Sequence, residues 1–217
     1  MSADRGGPQV LALAVVALLG NGPAEGPVLA RVDAVQARYS GIADLRAGFV
    51  QTSYTAALGR ETVSRGSVTM KRPGLLRWEY STPEERVIVL DTETLRIYSP
   101  VDEQLQVIAL AQGTVSPTAL SFLLGDGQLR ELFEAEAIDD PERPELGLRL
   151  RPRQASSFEF IELWVARETH QLRESVLVDL FKNRTSVRFV EIVENVGIDE
   201  SAFSIDVPEG TEVIDLR

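Results

Sequence analysis

The sequence predicts a mainly β protein, in which an antiparallel sheet curves into a half-barrel and helices cover its open side. Three observations predict this fold. About ten or eleven short runs rich in β-branched and aromatic residues are separated by turns containing Gly, Pro, Ser or Asp. Two helical patterns interrupt these runs. An antiparallel sheet of this size must curl or close to protect its edges.

Residues 1–24 have the pattern of a cleaved signal peptide. Residues 10–19 form an uninterrupted apolar run, shorter than the roughly 20 residues of a membrane-spanning helix but typical of a signal-peptide core. Gly22 and Ala24 supply the small side chains for cleavage after Ala24. We therefore expect export, in a Gram-negative cell to the periplasm, and a mature protein of one domain over residues 25–217. The alternative is a buried amino-terminal helix, but the run has no polar stripe.

The first helical pattern follows the signal peptide. Val28, Val32, Val35 and Tyr39 recur at spacings of four, three and four residues and form one apolar face. Gly41 ends this helix.

The predicted strands then follow in two groups, separated by a second helical region. They span residues 45–54, 61–70, 75–80, 86–91, 94–98, 105–109, 146–151, 158–166, 172–179, 185–194 and 203–207. The second helical region begins with Ser116 as N-cap and Pro117 at the first helical position. Its apolar residues are Leu120, Phe122, Leu123 and Leu124, and a short amphipathic piece over residues 128–133 follows.

One face of the predicted sheet is apolar. Successive side chains of a strand point to opposite faces, so Arg72, Leu76, Trp78 and Tyr80 share one face of their strand. Neighbouring runs supply further alternating apolar positions, namely Val68 and Met70, then Leu95 and Ile97. Such a sheet encloses either an ordinary packed core or a cavity for an apolar ligand, and the pattern leaves both open.

Composition and motifs disfavour several kinds of function. With 22 basic and 33 acidic residues the net charge is −11, which repels nucleic acid. The chain has no cysteine, hence no disulfide, thiolate metal site or cysteine nucleophile. Its single histidine, His170, lies in a predicted turn without the signature of a catalytic triad. We find no metal or cofactor motif and expect a protein that is not an enzyme.

Arg72 is a charged residue on the predicted apolar face and therefore needs hydrogen-bond acceptors. On the apolar face its guanidinium would need carboxylates or backbone carbonyls, because an unpaired buried charge is costly. The end of a helix offers unsatisfied carbonyls, so Arg72 could tie the sheet to a helix that covers it, as a latch. The alternative is a surface turn arginine beside Lys71.

The segment from Met70 to Tyr80, MKRPGLLRWEY, resembles the signature of the LolA family, the periplasmic carriers of outer-membrane lipoproteins. The resemblance extends from Val28 to Ile214. Further residues that match in order and spacing are Phe49, Gln51, Gly66, Pro83, Ile97, Pro100, Gln104, Asp179, Asn183, Thr185, Phe203, Val207, Pro208, Gly210 and Val213.

This resemblance implies an incomplete antiparallel β-barrel of about eleven strands, with a lid of short α-helices over a hydrophobic cavity for acyl chains. Arg72 matches the arginine that hydrogen-bonds the lid and Trp78 a cavity aromatic, whereas Leu76 stands where some members have an aromatic residue. The expected cavity residues are Val32, Val68, Met70, Leu76, Trp78, Tyr80, Leu95, Ile97, Leu120, Phe122 and Leu123.

The resemblance also implies partners. The protein would receive acylated lipoproteins from the inner-membrane transporter LolCDE, deliver them to LolB or the outer membrane, and act as a monomer. An envelope-stress sensor or adaptor of the same fold is a second reading, disfavoured because such sensors carry an additional domain. An exported hydrolase is a third, for which no carboxylate site is apparent.

Overall fold

The computed structural model describes residues 25–110 and 128–216. In chain order the elements are α1 (Glu25–Ser40), β1 (Asp44–Thr55), β2 (Arg60–Lys71), β3 (Leu75–Thr82), β4 (Arg86–Leu90), β5 (Thr94–Ser99), β6 (Gln104–Ala109), α2 (Leu129–Leu132), β7 (Phe133–Ile138), β8 (Leu146–Pro152), β9 (Phe158–Val165), β10 (Leu172–Asp179), β11 (Arg184–Glu194), a 3-10 helix (Glu200–Phe203) and β12 (Glu212–Leu216). Within these residues the strands form one sheet of twelve, in the order β12-β6-β5-β4-β3-β2-β1-β11-β10-β9-β8-β7.

The sheet is open. Neighbouring strands are antiparallel except β12 and β6, which run parallel. The edge strands β12 and β7 do not pair with each other in the described part of the chain. The expectation of a mainly β, unclosed antiparallel sheet is therefore confirmed.

One predicted strand was wrong, and one predicted helix is shorter than expected. The predicted strand over residues 203–207 is absent, because Phe203 ends the 3-10 helix and buries its ring against the sheet instead of joining a ladder. The last strand is β12, which adds to β6. The predicted amphipathic helical piece over residues 128–133 shrinks to the single turn α2, and Phe133 already begins strand β7.

Helix α1 covers one face of the sheet, which we call the inner face. Val32 and Val35 are 0% exposed and pack with Phe133 of β7 and Leu148 of β8. Arg31 donates a hydrogen bond of 2.8 Å to the carbonyl of Gly147. The helix is thus fixed over the β7–β9 side of the inner face and reaches β1 and β2 with its carboxyl end.

Residues 196–205 cross the opposite, outer face of the sheet. Ile198 and Phe203 pack there on Val89 of β4. The Asp44 carboxylate fixes the start of this segment by accepting the backbone N–H groups of residues 196–198 at 2.8 to 3.3 Å. Desolvation opposes ionisation of Asp44, but these hydrogen bonds outweigh it and hold its pKa below the usual range.

Some predictions lie outside the described residues, namely the signal peptide over residues 1–24 and the lid residues Leu120, Phe122 and Leu123. In the ranges that are described, no helix combines the length and apolarity needed to cross a membrane.

Candidate functional site

A cavity of about 150 Å³ lies between the carboxyl end of α1 and the inner face of the sheet. Strand register explains why its wall is apolar, since paired residues of neighbouring strands point to the same face. One row runs across Leu45, Met70 and Leu76, and the next across Ala47, Val68 and Trp78. The described residues that line the cavity are Arg38, Tyr39, Ile42, Leu45, Ala47, Val68, Met70, Leu76, Trp78, Gln171, Leu172, Ser175, Phe189, Ile192 and Glu194.

An aromatic cluster bounds the cavity along the strands. The ring of Phe49 is 2% exposed, and its centroid lies 4.7 Å from that of Trp78 and 5.3 Å from that of Tyr80. Phe189 meets Trp78 edge to face at 6.3 Å. Beyond the cluster the inner face becomes polar, where the Tyr80 hydroxyl donates to Gln51 at 3.0 Å.

Gly66 makes room for this cluster. A Cβ on Gly66 would lie 1.7 Å from the carbonyl oxygen of Glu79 and 2.9 Å from Cζ of Phe49. Strands β2 and β3 therefore approach each other under the Phe49 ring only because this position has no side chain.

Arg72 joins the sheet to the end of α1. It directly follows β2, and its Nε donates to the carbonyl of Ile42 at 2.9 Å while Nη2 donates to that of Tyr39 at 3.1 Å. Tyr39 belongs to the last turn of α1 and Ile42 to the connection that leads into β1. The guanidinium thus binds carbonyls at a helix end, where a positive charge also interacts favourably with the helix dipole.

The wall of the cavity near α1 is polar. Arg38 forms an ion pair with Glu194, whose side chain is 12% exposed. Gln171 donates to the other oxygen of that carboxylate at 3.0 Å. Burial, with a further contribution from Glu194, raises the pKa of the Tyr39 hydroxyl, which therefore stays protonated.

The structure brings together only part of the predicted cavity set. Val68, Met70, Leu76 and Trp78 line the cavity. The other described members of the set lie elsewhere. Val32 packs in the hydrophobic core between α1 and strands β7–β9, and Tyr80 lies opposite Gly66, with its hydroxyl bound to Gln51. Leu95 and Ile97 are further along the inner face on β5.

Sequence reasoning missed the contribution of β10 and β11. Leu172, Phe189 and Ile192 line the cavity, yet Phe189 and Ile192 do not share the parity that places residues on one face of a strand. A register shift between β1 and β11 and the positive φ of 52° at Glu191 mark a bulge between them. In the sequence, the apolar residue Leu172 directly after the turn at His170 was the available signal for β10. Simple alternation could not place both Phe189 and Ile192 on one face of β11, because it does not include the bulge.

Among the described residues, no cluster of metal ligands accompanies the cavity. In the two described ranges, no group of three or more His, Asp or Glu side chains could hold a metal ion. His170 lies in the β9–β10 turn, where its backbone N–H donates to the carbonyl of Ala166 at 2.9 Å. What the site offers is an apolar space with one polar wall, beside an arginine that holds a helix end.

Comparisons with known proteins agree with this geometry. The family model described as "Outer membrane lipoprotein carrier protein LolA" matches residues 40–206. A Hahella chejuensis protein named outer-membrane lipoprotein carrier protein is 31% identical over 188 residues, covering 85% of this chain and 88% of that protein. A Nitrosomonas europaea protein of the same name is 34% identical over 149 residues, covering 69% and 71%.

A solved structure shares the fold. The crystal structure of an uncharacterized conserved protein from Thermus thermophilus covers 87% of this chain and 99% of its own, with a TM-score of 0.55 and 16% identity.

Proposed function

Because this chain belongs to the family of the outer membrane lipoprotein carrier protein LolA, we propose that it carries lipoproteins to the outer membrane with their acyl chains held in the cavity under α1. The single observation that supports this use of the cavity is its apolar wall, which five strands and the end of a helix supply together. Each methylene moved from water into such a wall gains about 0.8 kcal/mol. Because a membrane offers the same gain, an apolar cavity allows an acyl chain to leave the membrane without the cost of exposing it to water.

Loading requires the cavity to widen. A cavity of about 150 Å³ is of the size that binds a benzene molecule, which is far smaller than an acyl chain. The space can grow where the end of α1 meets the sheet, because the burial of Val32 and Val35 fixes only the middle of the helix.

We assign to Arg72 the role of a latch on that movement. Its two hydrogen bonds join β2 to the carbonyls of Tyr39 and Ile42, so moving the end of α1 away from the sheet breaks both. A latch that favours the narrow cavity weakens cargo binding and thereby permits release.

The proposal includes where the carrier works and what it meets. Residues 1–24 serve as a signal peptide, and residues 25–217 act as a single periplasmic domain and as a monomer. Cargo arrives from the LolCDE transporter and passes to a LolB-like acceptor or to the outer membrane. The protein acts as a binding protein without cofactor and does not take nucleic acid, consistent with its net charge of −11.

Mass spectrometry of the protein, purified from the periplasm without detergent, tests this function. We expect acylated lipoproteins to co-purify with it. Leu76→Gln, which places an amide in the cavity wall, should reduce the bound lipoprotein severalfold. Leu75→Gln is the matched control, because Leu75 is the neighbouring residue of β3 and packs on the outer face. A protein that never carries lipid, or equal loading of the two variants, would count against the proposal.

A further inference from the structure

The polar wall of the cavity contains two further polar residues besides the ion pair of Arg38 and Glu194. Arg38, Tyr39, Gln171 and Glu194 come from α1, the β9–β10 turn and the end of β11. All four line a space whose other described lining residues are apolar except Ser175. A carrier that held only hydrocarbon would need no such group, because burying polar side chains is costly unless each is hydrogen-bonded.

Two hydrogen-bond donors of this wall are unused. The Tyr39 hydroxyl makes no hydrogen bond to any residue within the described ranges, and it stays protonated because its surroundings raise its pKa. The Nε of Arg38 is buried and also has no partner there. Since a buried donor normally finds an acceptor, the Nε of Arg38 indicates that an acceptor belongs in the cavity beside it, where the Tyr39 hydroxyl can donate to the same group.

The charge of the wall restricts what that acceptor can be. Arg38 is paired with Glu194, and Gln171 is bound to the same carboxylate, so the wall as a whole is close to neutral. A free carboxylate would place a second negative charge beside Glu194. A neutral carbonyl oxygen suits the two unused donors, and an amide N–H suits Glu194 as an acceptor.

Fatty-acyl esters and amides combine these groups with a hydrocarbon chain. We propose that Arg38, Tyr39, Gln171 and Glu194 form a subsite for the carbonyls that join acyl chains to their head group, while the apolar wall holds the chains. This inference rests on the proposed carrier function and adds a selectivity to it. The protein distinguishes acyl from alkyl chains of the same length.

Competition binding with two synthetic lipopeptides tests the subsite in the full exported protein. The first probe is a peptide with an S-diacylglyceryl cysteine at its amino terminus, and the second is its dialkyl ether analogue, which lacks the ester carbonyls. We expect the wild type to bind the ester probe about tenfold more tightly, which corresponds to about 1.4 kcal/mol.

Variants then locate the effect. Tyr39→Phe removes one hydroxyl and Arg38→Met removes the guanidinium. Each should lower the ester preference, taken as the ratio of the two affinities of the same variant, to about threefold or less. Ether binding also shows that each variant is folded. Tyr80→Phe is the matched control, because its hydroxyl donates to Gln51 outside the cavity lining, and it should keep the tenfold preference.

The outcomes are distinguishable. Equal affinity of the wild type for both probes overturns the subsite and leaves the carrier function standing. A preference that survives both Tyr39→Phe and Arg38→Met overturns the assignment to these residues. If neither probe binds, the proposed function fails and the subsite fails with it.

Discussion

Replacing Arg72 by leucine should make the protein hold its cargo more tightly. The substitution removes the bonds of 2.9 Å to the Ile42 carbonyl and 3.1 Å to the Tyr39 carbonyl. Hydrogen bonds from a charged donor contribute about 1.5–3 kcal/mol each, and water compensates part of the loss when the helix end moves away. A net loss of about 2–4 kcal/mol from the closed state raises the opening constant about 30- to 1000-fold.

The opening constant sets the apparent affinity for cargo. When a ligand binds only the open state, its apparent Kd is the intrinsic Kd divided by the open fraction. Arg72→Leu should therefore bind a fluorescent diacylated peptide more tightly and pass it to acceptor vesicles at least about tenfold more slowly. Stopped-flow fluorescence of protein loaded with this peptide measures the transfer rate.

The control uses an arginine that also binds a backbone carbonyl. Arg77 donates to the carbonyl of Ser204 at 2.5 Å on the outer face, so Arg77→Leu should transfer peptide within about twofold of the wild-type rate. Arg72→Lys should lie between, because one ammonium cannot reproduce the fork of a guanidinium. Unchanged transfer from Arg72→Leu would refute the latch.

Three further predictions concern stability. Gly66→Ala should lower the free energy of unfolding by more than about 2 kcal/mol, because its Cβ would lie 1.7 Å from the Glu79 carbonyl oxygen; an unchanged urea midpoint contradicts this. Phe49→Ala should cost about 3–5 kcal/mol in the same assay, since the ring is 2% exposed and 4.7 Å from that of Trp78, and a loss below about 1 kcal/mol would argue against the aromatic cluster. The lowered pKa of Asp44 contributes stability that is complete above its unfolded value of about 3.9 and is lost as pH falls through the lower folded value. The stability difference between wild type and Asp44→Asn should therefore shrink on acidification, and parallel pH profiles would disprove the assignment.

The strands were predictable where alternation and turn residues agree. In β3, the alternation that placed Leu76 and Trp78 on one face also placed them in the cavity wall. In β7 the inner-facing positions after Phe133 are alanines between glutamates, a composition that favours helix as much as strand. The strand exists because β8 pairs with it, which is a contact that no local pattern contains.

The candidate site was also only partly predictable, because sequence patterns indicate residue types and faces whereas packing determines which residues meet. Helix-end carbonyls were the expected partners of Arg72, but the pairing with Tyr39 and Ile42 depends on where the helix lies over the sheet. Periodicity also placed Val32 on an apolar face without saying that this face is core. Two apolar compartments with the same residue types share the inner face, and only the position of α1 separates them.

The open sheet has a consequence for the range of cargo. The interior of a closed barrel is fixed by the number and stagger of its strands, whereas strands β12 and β7 remain unjoined in the described part of this sheet. The sheet has eleven neighbouring strand pairs. A slight change of coiling shared among them alters the radius of curvature of the sheet without breaking the hydrogen bonds between paired strands. The volume enclosed by the sheet can therefore change, and we expect one protein to accept lipoproteins with different numbers and lengths of acyl chains.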